Sequence, residues 1–278
     1  MQMRRAPPYN RAMNKLLSQA DLHLRWLAAC AIAHEAGQLV RTRFYERDQA
    51  MEIEFKGPQD YLTETDAEVE QLIAQRLEEA FPDDGFFGEE SGGAYTEQTW
   101  IVDPIDGTAS FARGVPYFCV SIAFLAAGKV QVGVLYDPMA GELFAAQRGR
   151  GATLNGRPIR VSHVDDPSKA VVELGWTART PVDRHLDIMR RINALGASIK
   201  RVGSGALGLA YVAAGRQDAY FEQHINAWDA AAAVLLVEEA GGYVNDFLTP
   251  ECLERGNRVF ACTPKLRDAL HAAIDPPS

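Results

Sequence analysis

Residues 228–242 read Trp-Asp-Ala-Ala-Ala-Ala-Val-Leu-Leu-Val-Glu-Glu-Ala-Gly-Gly, WDAAAAVLLVEEAGG. From Ala230 to Val237 the stretch is apolar at every position, so it predicts a helix with no solvent face, buried all round. Asp229 stands in its first turn. A carboxylate there complements the helix dipole, which makes a plain capping acid one reading. At the mouth of a wholly buried helix it is also costly unless paired or bound to a cation, which makes a metal ligand the other.

Outward from this helix, the second half of the chain alternates. Strands are predicted at Val171–Leu174, 199–202, Ala219–Phe221, Tyr243–Val244 and Val259–Ala261, and helices at 181–195, 205–214 and 227–240. Thr263-Pro264 reads as an N-cap and first-turn proline opening a last helix. The first half differs. An amphipathic helix is predicted over Asp21–Tyr45 with Leu24, Leu27, Ala28, Ala31, Ile32 and Ala36 on its inner face, and another over 66–80 with Val69, Leu72, Ile73 and Leu77. A strand Trp100–Val102 then enters a turn at Asp103-Pro104. Tyr117–Leu125 and Val130–Tyr136 form a hairpin around Ala127-Gly128-Lys129, continued by Leu143–Ala146 and, past Asn155-Gly156, by Ile159–Val161. An antiparallel half followed by an alternating half predicts layered α/β packing. The seam falls near 155–168, within one body spanning 21–278, with 21–160 as the antiparallel half and 161–278 as the α/β half. Residues 1–20, with Arg4, Arg5, Arg11, Lys15 and no acid, read as a disordered basic arm, a transit peptide being the alternative; they lack the apolar core of a secretory signal.

The chain has 278 residues, 47% of them hydrophobic and 23% charged, the balance of an ordinary globular protein large enough to build its own core. Its net charge of −9 argues against a nucleic-acid partner, because such affinity comes from Lys and Arg on phosphates. It does not exclude an anionic substrate, since a bound divalent metal reverses the local field. No apolar run reaches the ~20 residues of a membrane span. Cys30, Cys119, Cys252 and Cys262 show neither C-x-x-C nor zinc spacing and read as buried thiols of a reducing cytoplasm.

Two further acidic segments accompany Asp229. In Asp103-Pro104-Ile105-Asp106-Gly107-Thr108, Pro104 fixes the turn, and a three-residue spacing can aim two carboxylates at one point. Free N–H groups at Gly107 and Thr108 suit a phosphate. An ordinary Asp-Gly surface turn is the competing reading. Glu89 and Glu90 in Gly88-Glu89-Glu90-Ser91 read alone as a solvated pair and gain weight beside the other two segments. An all-oxygen site of this kind suits Mg²⁺ rather than zinc or copper, and the spacing is not that of a calcium EF-hand.

Together the segments resemble the inositol monophosphatase superfamily of Mg²⁺-dependent, lithium-sensitive phosphatases. WIVDPIDGTASF, Trp100–Phe111, matches its W-x-x-D-P-[IL]-D-G-T-x-N-F signature, and Trp228–Gly242 matches W-D-x-A-A…E-A-G-G. Thr63–Asp66, Gly88–Ser91 and Gly149–Gly156 match its T-x-x-D, G-E-E-S and G-x-G-A-x-x-N-G elements, and the resemblance runs over about residues 20–275. It implies an αβαβα sandwich and a homodimer. It further implies that Glu89, Asp103, Asp106, Asp229 and the Ile105 carbonyl ligate two or three Mg²⁺ ions. Asp66 and Thr108 would activate the attacking water, with Glu89 beside them. Gly107 and Thr108 would hold the phosphate, and Lys56 and Glu90 would support the metal site. Gly203, Gly205, Glu222 and Trp176 would line the alcohol pocket. Ser110 replaces the signature's usual Asn, and Trp176-Thr177 stands where animal inositol enzymes carry a small Ser, so the alcohol is the open question. The expected substrate is inositol 1-phosphate or a similar polyol phosphate. Histidinol phosphate, a nucleotide 2′- or 3′-phosphate and fructose 1,6-bisphosphate are alternatives, and a role as an interaction protein on the transcription machinery is the reading of another class.

Overall fold

The computed structural model describes residues 17–47, 54–57, 60–62, 64–249 and 251–276, the side chains of 54–62 excepted. The basic arm expected over 1–20 lies outside the described residues as far as residue 16. Helix α1 (Gln19–Glu46) is followed by β1 (Glu54–Gly57), β2 (Asp60–Leu62) and α2 (Glu64–Ala80). Then come β3 (Gly85–Gly88), β4 (Gly92–Gly93), β5 (Gln98–Asp106), α3 (Thr108–Arg113), β6 (Cys119–Ala126), β7 (Lys129–Asp137), β8 (Glu142–Gln147), β9 (Ala152–Leu154) and β10 (Arg157–Pro158). The rest is β11 (Val171–Leu174), α4 (Val182–Ala194), β12 (Ser198–Lys200), α5 (Gly205–Ala213), β13 (Ala219–Ile225), α6 (Ala227–Glu239), β14 (Tyr243–Val244), α7 (Cys252–Arg255), β15 (Asn257–Cys262) and α8 (Arg267–Ile274).

Five layers result. Strands order as β10-β9-β8-β7-β6-β5-β3-β4 in one sheet and β12-β11-β13-β15-β14 in the other. One face of the first sheet packs on α1 and α2 through Val102, Val120, Ile122 and Val134 against Ala33, Val40, Val69 and Ile73. Its other face and the second sheet enclose α5 and α6. The far side of the second sheet, with Val172, Leu174 and Phe221, is covered by Ile188 and Ile192 of α4 and Leu270 of α8. This is the αβαβα sandwich that the resemblance implies. Helix α6 belongs to the middle layer. A sheet lies on either side of it and α5 beside it, so every face meets side chains, and Ala230 to Val237 are all buried. Small residues let it lie close. A Cβ added at Gly133 of β7 would collide with the backbone carbonyl of Ala232.

Local chemistry explains most elements. Ser18 caps α1 by accepting the Asp21 N–H while Asp21 accepts the Ser18 N–H, a reciprocal capping box. Ala127 and Gly128 have φ of 52° and 72°, and Asn155 and Gly156 have 48° and 75°, the left-handed pairs that two-residue hairpin turns need. Among the described residues no helix is long and apolar enough to cross a membrane. All four cysteines are free.

Several expectations are corrected. The buried stripe of α1 is Leu22, Ala29, Ile32, Ala33, Ala36, Val40 and Phe44, whereas Leu24 and Leu27 are 58% and 48% exposed. Adjacent apolar rows compete on a helix this alanine-rich, and packing selects one. Strand β5 does not stop at Asp103 but continues through Pro104 to Asp106, with a register irregularity between Asp103 and Asp106. The irregularity accommodates a proline that has no N–H to give the ladder. Ile159–Val161 is not a strand; pairing ends at Pro158. Thr263 does not cap the last helix, because its hydroxyl donates to the Ser162 carbonyl at 2.6 Å and Pro264–Leu266 forms a 3₁₀ turn before α8. Strand β3, parallel to β5, has no counterpart in the sequence reading.

Candidate active site

The end of β5 brings the acids together. Asp103 is turned by its own backbone: its Oδ1 accepts the Ile105 N–H at 2.9 Å. Glu89, just past β3, follows because β3 runs parallel to β5, pairing Gly88 with Val102. Asp229 arrives from the first turn of α6. Ligand oxygens of Glu89, Asp103 and Asp229 lie within 4.8 Å of one another. Asp229 is a capping acid, its Oδ2 accepting the Asn226 N–H at 3.0 Å, and its carboxylate also joins the cluster on the cleft floor.

Asp106 stands beside these three, with its Oδ2 engaged elsewhere. It accepts the Ala206 N–H at 2.7 Å and the hydroxyl of Ser204, so it holds the first turn of α5. Ser204 in turn caps α5 by accepting the Leu207 N–H at 3.2 Å. Sequence reasoning misses Ser204, although a Ser before an apolar run is a helix-start signal.

Helix α2 supplies a second missed residue, Glu70. Asp66 and Glu70 are four apart and share its buried face. Asp66 meets Thr108, whose hydroxyl lies 3.2 Å from Asp66 Oδ1 and 2.9 Å from the Ile105 carbonyl. Glu70 accepts the N–H groups of Glu90 and Ser91, both at 2.8 Å, and so clamps the loop that presents Glu89. Gly88 leaves room for that clamp, since a Cβ there would land on the Glu70 carboxylate. The signal for Glu70 in the sequence is an acid spaced at i+4 from Asp66, among Val69 and Ile73. Trp100, first residue of the β5 motif, is structural: its indole donates to Asp84 at 3.0 Å, the carboxylate that also binds Arg25.

Electrostatics follow from burial. Burial, then Glu89, Asp106 and Asp229, push Asp103 well above the usual carboxylate range. Burial and then Asp229 raise Asp106 to about 7. Burial raises Asp229 to about 6, against the Asn226 hydrogen bond. Carboxylates crowded this closely are relieved by protons or by a cation. An all-oxygen, multiply charged donor set fits a hard divalent ion.

These acids floor a cleft of about 930 Å³. Of the predicted residues, Gly107, Thr108, Trp176, Gly203, Gly205 and Glu222 line it with Glu89, Asp103, Ile105, Asp106 and Asp229. Asp66 lies behind Thr108, fully buried. Glu90 is placed in the Glu70 clamp by its backbone. The Lys56 side chain and Thr63 lie outside the described residues. Glu222 accepts the Tyr220 hydroxyl at 2.7 Å, and burial, outweighing that bond, raises it to about 8. Arg179 and Arg201, which the sequence does not single out, also line the cleft.

Comparison with known proteins agrees with this geometry. The family model described as the inositol monophosphatase family matches residues 23–275. The Pseudomonas aeruginosa protein named Nus factor SuhB is 41% identical over 258 residues, 89% of this chain and 94% of its own length. The solved extragenic suppressor protein suhB of Bartonella henselae superposes with a TM-score of 0.84 at 36% identity, over 91% of this chain and 98% of that one. An IMPase of Thermotoga maritima superposes with a TM-score of 0.81 at 31% identity, over 90% and 96%. With its signature acids converging in one cleft of an αβαβα sandwich, and with a match across nearly the whole sequence, the chain belongs to the inositol monophosphatase family.

Proposed function

We propose that the protein is a Mg²⁺-dependent phosphomonoesterase that hydrolyses inositol 1-phosphate or a similar polyol phosphate with water as nucleophile. The convergence of Glu89, Asp103 and Asp229 within 4.8 Å, at the foot of an open cleft, carries this reading. Glu89, Asp103, Asp106, Asp229 and the Ile105 carbonyl would hold two or three ions. Bound there, Mg²⁺ supplies positive charge that neutralises the phosphate dianion and the departing alkoxide. Thr108 would take the proton of the attacking water on its hydroxyl oxygen as its own proton passes to Asp66 Oδ1, 3.2 Å away, which leaves hydroxide to attack phosphorus. Burial of Asp66 keeps that carboxylate out of bulk solvent, beside the Thr108 hydroxyl. Gly107 and Thr108, at the first turn of α3, face the phosphate position. Glu222 and Trp176 form the wall that meets the alcohol. Glu90 and Lys56 support the loops on the metal side.

The test is a panel of phosphate esters, including inositol 1-phosphate, histidinol phosphate and a nucleotide 3′-phosphate, with phosphate release followed in Mg²⁺. Release from none of them overturns the phosphatase reading. A second reading rests on the relative named Nus factor SuhB. For this chain it is an interaction with transcription machinery, tested by pull-down from lysate with wild-type protein and an Asp103→Asn variant. Cytoplasmic placement and a homodimer complete the proposal; sedimentation velocity tests the latter.

A further inference from the structure

Tyr220 and Glu222 are two apart on β13 and share its inner face, toward α5, while Phe221 between them points to α4 and α8. The Tyr220 hydroxyl donates to Glu222 Oε2 at 2.7 Å, and both residues line the cleft. Among the described residues Glu222 is that hydroxyl's one hydrogen-bond partner. The ring cannot swing away. A Cβ on Gly208 of α5 would stand 2.6 Å from its Cδ2 and Cε2 atoms, and one on Gly205 would stand 3.1 Å from the hydroxyl. Both glycines let the helix close on the ring, and Tyr220 is buried.

The neighbouring strand leaves a gap for the pair. Strand β11 runs parallel to β13 with Leu174 beside Phe221, and the Gly175 N–H extends that ladder by donating to the Phe221 carbonyl at 2.9 Å. Gly175 is the next inner-face position, beside Glu222, and it is bare. A Cβ there would collide with Glu222 Oε2 and stand 2.6 Å from the Tyr220 hydroxyl. The carboxylate thus lies over a glycine, tied at one oxygen. Arg201, Asp106 and Asp229 act on it through space without hydrogen-bonding it. Its Oε1 has no hydrogen-bond partner among the described residues, which leaves that oxygen for a ligand.

A free glutamate side chain has several torsions to order before it can meet a hydroxyl, and a carboxylate already fixed at one oxygen binds without that cost. We propose that Tyr220 is a positioning residue for substrate selection, holding Glu222 over Gly175 so that Oε1 meets a hydroxyl of the alcohol. This rests on the phosphatase reading, with Glu222 in the alcohol wall, and it assigns the residues that fix that wall. Gly175 has to stay bare for it.

The experiment takes whichever of inositol 1-phosphate, histidinol phosphate and a nucleotide 3′-phosphate the wild type hydrolyses fastest. Its kcat/KM in Mg²⁺ is divided by that of nitrophenyl phosphate, whose alcohol has no further hydroxyl for Oε1. Tyr220→Phe keeps the ring and removes the donor. It should lower the ratio about three- to tenfold, the scale of a single hydrogen bond. Gly175→Ala should lower it by as much or more. The double variant Tyr220→Phe/Glu222→Gln should show a ratio no lower than Glu222→Gln alone, because the hydroxyl acts only through that carboxylate. A merely structural Tyr220 would lower both esters together, leave the ratio where it was, and add its loss to that of Glu222→Gln. An unchanged ratio in Tyr220→Phe, or additive losses in the double variant, overturns the positioning role and leaves the phosphatase reading standing. If the wild type releases phosphate from no ester, both fall. Should Gly175→Ala misfold, seen by circular dichroism, Tyr220→Phe and the double variant decide the question.

Discussion

Replacing Asp103 by Asn separates chemistry from stability at one atom position. Asp103 is 1% exposed, with Glu89 and Asp229 oxygens within 4.8 Å. Two like charges at that distance repel by about 3 kcal/mol at an effective dielectric of ~20. Without metal, burial and this crowding favour the protonated acid and hold the Asp103 pKa well above the usual carboxylate range. The sign is that of a raised folded-state pKa. The contribution to stability is fully present below pH ~4 and is lost as pH rises through the folded value. Asparagine is neutral at all these pH values and keeps an Oδ1 for the Ile105 N–H. In excess EDTA at pH 7 the variant should therefore be more stable by about 2–4 kcal/mol, or several degrees in Tm, and the difference should vanish near pH ~4. In Mg²⁺ the order should reverse, because the wild type binds the ion more tightly. Turnover should fall more than about a hundredfold, since even outer partners of a metal ligand cost roughly 10–100-fold. Calorimetric melting across pH with and without Mg²⁺, beside phosphate release, measures all of this. A variant that melts lower in EDTA at pH 7 and retains wild-type turnover would refute the reasoning.

Excess EDTA should abolish phosphate release and Mg²⁺ restore it, while millimolar-order Li⁺ should inhibit, as the family resemblance implies; full turnover in chelator contradicts the metal site. Glu70→Gln should raise the Mg²⁺ concentration for half-maximal activity, because an amide accepts less strongly from the Glu90 and Ser91 N–H groups that place Glu89; a Mg²⁺ titration identical to wild type removes Glu70 from that role. Glu222→Gln should lose about 1.5–3 kcal/mol in kcat/KM for the polyol phosphate and little for nitrophenyl phosphate, whose alcohol offers no further hydroxyl. Trp176→Ser should broaden the accepted alcohols, and an unchanged substrate profile would count against Trp176 as a pocket wall.

The sequence alone was enough for the layered fold and for picking out Glu89, Asp103, Asp106 and Asp229 as candidates, because both lie in local patterns. An apolar run with no polar face has to be buried, and Ala230–Val237 lies in the central layer. Asn155-Gly156 adopts the turn its residue types favour. Asp103, Asp106 and Asp229 sit in short segments whose residue types and spacing are themselves the signal. Tertiary structure decided what depends on residues far apart in sequence. Ser204 reaches Asp106 across 98 positions, and Glu70 reaches the Glu90 N–H across 20. Neither contact leaves a periodicity to read. The chosen stripe of α1 was likewise set by the sheet it covers rather than by its own spacing, since Leu24 and Leu27 point outward. Arg179 and Arg201 look like ordinary surface cations in sequence. Only the parallel pairing of β11 with β12 sets their loops on the same cleft, because parallel strands send their carboxyl ends to one side of a sheet.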